Sequence, residues 1–194
     1  MASLKVALLG VALAMLSACA AQTPANSPAP SLSTQQRFAG RPGVTVLAAD
    51  AIAAPVRGQT LYVPVYSEIF DSTSNRAFQL TITLSLRNTD RDQPIAITSL
   101  DYYNSGGDRV VAYLDQPIQL GPLASTEVVI DSRMDRSANR SDVAGGVGAN
   151  FIVQWQSAAA VSDPVVEAVM ISSASQQGMS FVSPARVVDE LPPE

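Results

Sequence analysis

Few side chains in this sequence can carry acid–base, nucleophilic or metal chemistry. It has no histidine, its one cysteine is Cys19 and its one lysine is Lys5. A serine nucleophile needs a neighbouring base such as histidine or lysine, and neither residue type occurs after Cys19. Histidine and cysteine ligands for zinc are missing in the same way. These absences predict a protein that is not an enzyme and that uses no cofactor or metal.

Carboxylates are the candidates for catalysis that are left. Two carboxylates that face each other can cleave a glycosidic bond by acid–base catalysis, which gives a carboxylate-dependent glycan hydrolase as the alternative function. Acids at strand ends also satisfy turns or pair with arginine, which is the simpler explanation. The acids in or beside expected strands are Glu68, Asp101, Asp108, Asp115, Glu127 and Glu167.

Two loop segments contain residues that can bind ions. Asp101, Asn104 and Asp108 offer the oxygen ligands that calcium takes, but their spacing fits no EF-hand loop, and Ser-Gly-Gly after Asn104 is typical of a hairpin turn. The Gly-Gly-Val-Gly run at residues 145–148 would suit a phosphate in front of a helix, whereas an expected strand follows it. We therefore predict turns at both places. The long connection over residues 131–149 is either a functional loop or a mobile one.

Four tyrosines are the candidates for a partner-binding surface. Tyr62, Tyr66, Tyr102 and Tyr103 lie in expected strands. Exposed aromatic side chains often anchor interfaces, so these residues would form a binding patch if they shared the outer face of a sheet. Burial under a neighbouring loop is the other interpretation, and the sequence leaves both open.

The surroundings of Cys19 predict its chemical role. Lys5 precedes an apolar stretch over residues 6–16, and Leu-Ser-Ala comes directly before Cys19. A basic start, a short apolar run and small residues make a secretory signal, and its ending resembles the lipobox of bacterial lipoproteins, whose cysteine receives diacylglycerol. We predict a signal peptide over residues 1–18 and lipid attachment at Cys19. An ordinary secretory signal that is cut at Ala20 or Ala21 is the alternative.

A lipid on Cys19 would fix the location of the protein. Two or more acyl chains hold a protein stably on a membrane, whereas one does not; diacylglycerol, with palmitate usually added as a third chain, passes that threshold. Ala20, and not aspartate, follows Cys19, which in a Gram-negative cell favours the outer membrane over the inner one. We therefore expect a lipid-anchored envelope protein that faces the periplasm.

The remainder of the chain is expected to form a tether and one domain. With 194 residues, 47% of them hydrophobic, the chain can build one core. Its net charge of −5 is not typical of proteins that bind nucleic acid. Residues 19–43 are rich in Ala, Pro, Ser, Thr and Gln and predict a flexible, disordered linker. A single domain is predicted over residues 44–190, in which residues 44–52 are either a first strand or a docking segment.

Beyond residue 58, apolar and polar residues alternate with a period of two. The alternation is clearest over residues 78–87. Pro64 cannot donate a backbone hydrogen bond, so the strand over residues 61–66 is expected at a sheet edge or a bulge. Further strands are expected over residues 95–103, 109–114, 118–120, 126–130, 151–156, 165–173 and 179–187. Many short strands at this spacing predict an all-β fold, an antiparallel immunoglobulin-like β-sandwich.

Several of these segments resemble the domain-of-unknown-function family 3124. The resemblance runs from about Gly58 to Val188 and implies a small bacterial envelope domain, without an activity, a ligand or catalytic residues. The segments that carry it are Tyr62-Val63-Pro64-Val65-Tyr66-Ser67, Leu86-Arg87-Asn88-Thr89-Asp90, Asp101-Tyr102-Tyr103, Tyr113-Leu114, Leu120-Gly121-Pro122-Leu123, Gly148-Ala149-Asn150-Phe151 with Trp155, and Val166-Glu167-Ala168-Val169-Met170.

Two functions from different classes follow. The preferred one is a non-catalytic envelope protein, a lipid-tethered β-sandwich that binds another protein or an envelope polymer. The alternative is the carboxylate-dependent hydrolase, acting on envelope glycan. For the binding protein, pairing of a partner strand with the edge strand over residues 61–66 is the expected mode of contact.

Overall fold

A computed structural model describes residues 32–70, 72, 76–131, 147–172 and 178–191. One helix comes first, α1 (Thr34–Phe38). The strands are β1 (Val44–Val46), β2 (Arg57–Pro64), β3 (Glu68–Phe70), β4 (Ala77–Gln79), β5 (Thr81–Arg87), β6 (Ile95–Tyr103), β7 (Arg109–Ala112), β8 (Ile118–Leu120), β9 (Ser125–Ile130), β10 (Asn150–Ser157), β11 (Val165–Ser172), β12 (Met179–Pro184) and β13 (Arg186–Glu190).

The strands form two main sheets. The larger sheet has the order β1-β8-β6-β10-β2-β13, with β7 also paired to β6, and the smaller sheet has the order β12-β11-β5-β9. Strands β3 and β4 form a separate hairpin, and all the pairs are antiparallel. The predicted all-β antiparallel sandwich is confirmed. No helix in the described ranges is long and apolar enough to cross a membrane.

The inner faces of the two sheets bury one apolar core, as the alternation predicts. In β5, Ile82, Leu84 and Leu86 are fully buried, whereas the residues between them are half-buried. Trp155 of β10 and Tyr102 of β6 supply the largest buried side chains of the facing sheet. Each such side chain stabilises the fold by about 1.5–3 kcal/mol relative to exposure, so the core holds the two sheets together.

The C-terminal part of the chain passes from one sheet to the other. We predicted one strand over residues 179–187, but β12 pairs with β11 in the smaller sheet and β13 pairs with β2 in the larger. The change occurs at Ala185, whose N–H donates to the Val166 carbonyl at 2.9 Å. The crossing puts β13 on the side of β2 where we expected a free edge. That prediction is corrected: β13 pairs with β2 from Gln59 to Tyr62, and Val63 and Pro64 extend beyond the paired stretch.

Part of the predicted linker is ordered. Ser33 caps α1: its Oγ accepts from the Gln36 N–H at 3.2 Å, and its own N–H donates to Gln36 Oε1 at 2.9 Å. At the other end of the helix Phe38 is fully buried in the core. The prediction of a disordered linker up to residue 43 is therefore wrong for α1 and the turn after it, and the folded domain begins before residue 44.

Two contacts dock α1 onto the sandwich. The Thr34 N–H donates to Asp115 Oδ1 at 2.8 Å, and the Asp115 N–H donates to Thr34 Oγ1 at 2.8 Å. Just after the helix, Arg41 forms an ion pair of 3.0 Å with Glu127 of β9. Because these partners are 81 and 86 residues away in sequence, the helix closes onto the folded sheets and is part of the domain.

Candidate functional site

Residues 47–56, which we call the strap, cross the outer face of the larger sheet. Residues 44–52 were left open as a strand or a docking segment, and they are both: β1 is a strand, and the strap begins after it. Its ends are held by hydrogen bonds from the Leu47 N–H to the Pro117 carbonyl and from the Val56 N–H to the Ser157 carbonyl, each 2.8 Å. Between the strap and the sheet lies a cleft of about 230 Å³.

The floor of this cleft is one row of side chains that runs across the larger sheet. Gln119 of β8 and Gln156 of β10 each lie directly opposite Ala96 of β6. Successive side chains of a strand point to opposite faces, and the neighbours of Ala96, Ile95 and Ile97, are buried in the core. Ala96 therefore faces outward between two glutamines, and its small side chain leaves the space that forms the cleft.

The cleft is uncharged. No charged side chain among the described residues lines it. Its polar groups are the amides of Gln93, Gln119 and Gln156 and the hydroxyl of Ser157, and most of its apolar wall is alanine. Such a lining can hydrogen-bond a neutral ligand but gives no counter-ion to a charged one, whose burial without a partner is costly.

Only some of these polar groups are already used. The Ser157 hydroxyl donates to the Pro94 carbonyl at 3.0 Å, and Gln156 Nε2 donates to the Ala53 carbonyl of the strap at 3.1 Å. The side chains of Gln93 and Gln119 make no hydrogen bond to any described part of the chain. The cleft therefore presents amide donors and acceptors that are available to a ligand.

The four tyrosines do not form one surface. Tyr102 is fully buried, with its ring 5.1 Å from that of Phe151. Tyr66 packs edge-on against Phe181 at 5.9 Å. Tyr62 and Tyr103 are half-buried on the outer face of the larger sheet, on strands that flank β10. The predicted surface is corrected accordingly, because strand alternation turns Tyr102 inward when its neighbour Tyr103 faces outward.

The carboxylates in and beside the strands lie at separate places. Asp101 accepts from Ser99 at 2.9 Å and lies 3.7 Å from Arg109. Glu68 accepts from Gln79 Nε2 at 3.0 Å in the small hairpin. Glu167 is on the outer face of the smaller sheet, with Ser85 as its neighbour on β5. Asp115 and Glu127 hold α1 and the turn after it, as described above, and none of these acids lines the cleft.

The electrostatics of Asp115 follow from its role at the helix. The hydroxyl and the N–H of Thr34 both hydrogen-bond this carboxylate and lower its pKa below the usual value of 3.8. An acid that is stabilised in its charged form is a poor general acid near neutral pH. Asp115 is thus a structural residue that orients α1.

The segment from Asn104 to Gly107, between β6 and β7, is a turn, as predicted. Asn104 Oδ1 accepts from the N–H groups of Gly106 and Asp108, both at 2.9 Å. Because this oxygen is the acceptor for the turn, it is not directed at an ion. The described ranges contain no group of three or more His, Cys, Asp or Glu residues arranged to hold a metal.

Several predicted features lie outside the described residues. These are the signal peptide, Cys19, and residues 132–146 of the long connection, with two of the glycines of its Gly-Gly-Val-Gly run. At the end of that connection, the Gly148 N–H donates to Ser105 Oγ at 2.9 Å. Sequence reasoning missed the cleft, because segments far apart in the chain form it and none carries a motif.

The comparison with protein-family models agrees with the resemblance. The family model described as "Protein of unknown function (DUF3124)" matches residues 58–188. The crystal structure of Thermotoga maritima 1070 aligns over 69% of this chain and 97% of that one, with 10% sequence identity and a TM-score of 0.40. No curated protein matches the chain.

Proposed function

Because this chain belongs to the DUF3124 family, whose description names no reaction, we propose its function from the cleft: it is a lipid-anchored envelope protein that binds a ligand without transforming it. The observation that carries this proposal is a formed cleft with available amide groups and, among the described residues, no acid or base in its lining. Neutral hydrogen-bonding groups on an apolar wall select and orient a ligand. They do not transfer protons at neutral pH.

The positions of the acids favour binding over hydrolysis. Glycosidases place two carboxyl groups about 5–10 Å apart across the scissile bond. Here Asp115 and Glu127 are engaged at α1, and Asp101 pairs with Arg109 on the outer face of the larger sheet. Each acid has a partner of its own, which supports a structural role for it.

Lipid on Cys19 would place this cleft at a limited distance from a membrane. The described part of the domain begins at Leu32, thirteen residues after Cys19. A fully extended chain of that length spans about 45 Å. The linker of residues 19–43 would have allowed nearly twice that reach, so the docking of α1 restricts the zone in which the anchored domain meets its ligand.

Site-specific cross-linking in the native host tests the binding role. A photoreactive amino acid is placed at Gln119, in the floor of the cleft, and in a matched strain at Gln154, which is exposed on β10, two strands away, and does not line the cleft. We expect a cross-linked species in the envelope fraction from position 119 and not from position 154. Equal cross-linking at both positions, or none at 119, contradicts the proposal.

A second assay separates binding from hydrolysis. The purified protein is incubated with isolated cell-wall sacculi, and soluble fragments are measured. We expect none above the level without protein. Fragment release that is abolished by one change among Asp101→Asn, Asp115→Asn and Glu127→Gln would establish the hydrolase instead.

The lipid anchor has its own test. Cells that express the chain or its Cys19→Ser variant are labelled with radioactive palmitate, and the protein is recovered from membranes. We expect label and membrane association only with Cys19 present. Equal labelling of both proteins contradicts lipid attachment at this residue.

A further inference from the structure

We propose that the cleft under the strap recognises an uncharged acetamido group, carried by an N-acetylated amino sugar. The inference rests on the proposed binding function and names its ligand chemistry. It follows from three properties of the lining: amide groups that are available, apolar walls in which alanine is the commonest residue, and the lack of charge among the described residues.

The available hydrogen-bonding groups match an amide. An acetamido group has one N–H donor and one carbonyl acceptor, and a glutamine side chain offers the complement of both. Gln119 uses neither end of its amide within the described chain, and Gln156 uses one N–H on Ala53, which leaves Oε1 as an acceptor. Because these two residues lie on either side of Ala96 in the register of the sheet, their amides flank one position.

The wall beside these amides suits a methyl group. Ala51 and Ala53 of the strap line the cleft together with the floor residue Ala96. Small apolar side chains accept a methyl and exclude water from it. No tyrosine, tryptophan or phenylalanine of the described residues lines the space. The sugar ring therefore has no aromatic face to stack on, and recognition depends on its acetamido substituent.

The size of the cleft agrees with such a group. A volume of about 230 Å³ is below the roughly 300–1,000 Å³ of pockets that enclose a whole drug-sized ligand. That space holds an acetamido group with the adjoining part of one ring. It does not hold a long polymer segment, so a glycan chain would lie outside with one substituent inserted.

Equilibrium titrations of the detergent-solubilised full-length protein test the inference. The probes are N-acetylglucosamine, glucose and N-acetylalanine methylamide, and binding is followed by the NMR signals of the glutamine side-chain amides. For so small a ligand we expect dissociation constants in the roughly millimolar range. N-acetylglucosamine should bind at least about tenfold more tightly than glucose, because a site built to hydrogen-bond a group rejects the analogue that lacks it.

Variants show whether the binding is in the cleft. Gln119→Leu should weaken N-acetylglucosamine binding about tenfold or more, and Gln154→Leu, the same change outside the cleft, should leave it unchanged. Ala96→Val is a second variant in the cleft: valine fills part of the space and is favoured in strands. It should also weaken N-acetylglucosamine binding about tenfold or more. The emission of Trp155 checks that each variant is folded.

The outcomes separate the two proposals. Equal affinity for glucose and N-acetylglucosamine, with both lost in Gln119→Leu, overturns acetamido recognition and leaves the binding module intact. Tighter binding of N-acetylalanine methylamide than of N-acetylglucosamine overturns the amino sugar as the carrier and assigns the acetamido group to a peptide source. If the cross-linking experiment in cells gives no product at position 119, or equal product at positions 119 and 154, the binding function itself is overturned, whatever the titrations give.

Discussion

Gln59 joins the core tryptophan to the C-terminal strand, and its replacement by leucine should weaken both connections. The side chain is 3% exposed. Its Oε1 accepts from Trp155 Nε1 at 3.1 Å, and its Nε2 donates to Glu190 Oε1 at 2.9 Å. Leucine has a similar size but no hydrogen-bonding group, so Gln59→Leu leaves the indole N–H of the fully buried Trp155 without its acceptor.

The size of the effect follows from these contacts. A buried donor that loses its partner costs about 1–3 kcal/mol. The Glu190 carboxylate is exposed, so water replaces its hydrogen bond to Gln59 at little cost. Burial of the apolar leucine side chain offsets part of the loss in the free energy of unfolding. The net loss in the free energy of unfolding should be about 1–2 kcal/mol, which lowers the melting temperature of a domain of this size by roughly 2–8 °C.

Fluorescence reports this change directly, because Trp155 is the only tryptophan in the chain. Urea and thermal unfolding are followed by its emission in the wild type, in Gln59→Leu and in Gln154→Leu. The control makes the same chemical change at an exposed position of β10 and should alter stability by less than about 0.5 kcal/mol. Equal stability of Gln59→Leu and wild type, or an equal loss in the control, would refute a stabilising role for the two hydrogen bonds of Gln59.

Three other perturbations test the ordered start, a strained turn and the acid dependence of the domain. Phe38→Ala should cost about 3–5 kcal/mol in urea unfolding, whereas Leu32→Ala, which is half exposed, should cost less than about 0.5 kcal/mol; a small loss in both would mean that α1 is not part of the folded unit. Leu123 has φ of 56°, so Leu123→Gly should be more stable than Leu123→Ala by about 1 kcal/mol in thermal unfolding, and the reverse order would contradict strain there. Because its hydrogen bonds to Thr34 lower the pKa of Asp115, they stabilise the fold above about pH 4 and are lost as the pH falls further; Asp115→Asn should flatten that part of the curve of urea midpoint against pH, and an unchanged curve would count against it.

The strands could be predicted because their burial repeats every two residues. Ile82, Leu84 and Leu86 point inward and their neighbours outward, so local sequence indicates the buried face of β5. The strand that the alternation predicts over residues 78–87 is broken at Leu80, because residues 77–79 pair with β3 in a separate hairpin. The order of strands in the sheets depends on pairing between distant segments. Within residues 179–187, Pro184 is a local signal for an edge or the end of a strand. It does not indicate that the chain changes sheets at Ala185, which depends on pairing with distant strands.

Helix α1 could have been predicted in part. Ser33 and Gln36 have the spacing of a capping box, which is a signal for a helix start. Five residues are too few to form a stable helix alone, and the stabilising contacts of α1 come from Phe38 in the core and from Asp115, far away in sequence. Composition therefore indicated a linker where tertiary contacts make a helix.

The floor of the cleft is a regular sheet and its cover is the irregular strap, and the two parts make different contributions to recognition. Gln119, Ala96 and Gln156 are fixed relative to one another by the hydrogen-bonded ladders of three adjacent strands, so the spacing of the amides is set before a ligand arrives, which lowers the entropy cost of binding. The strap has no regular structure and is held by a few hydrogen bonds, among them that from Gln156 to Ala53. A ligand that inserts against Ala96 must displace or share that contact. Affinity should therefore depend on the floor, and the rate of ligand exchange on the strap.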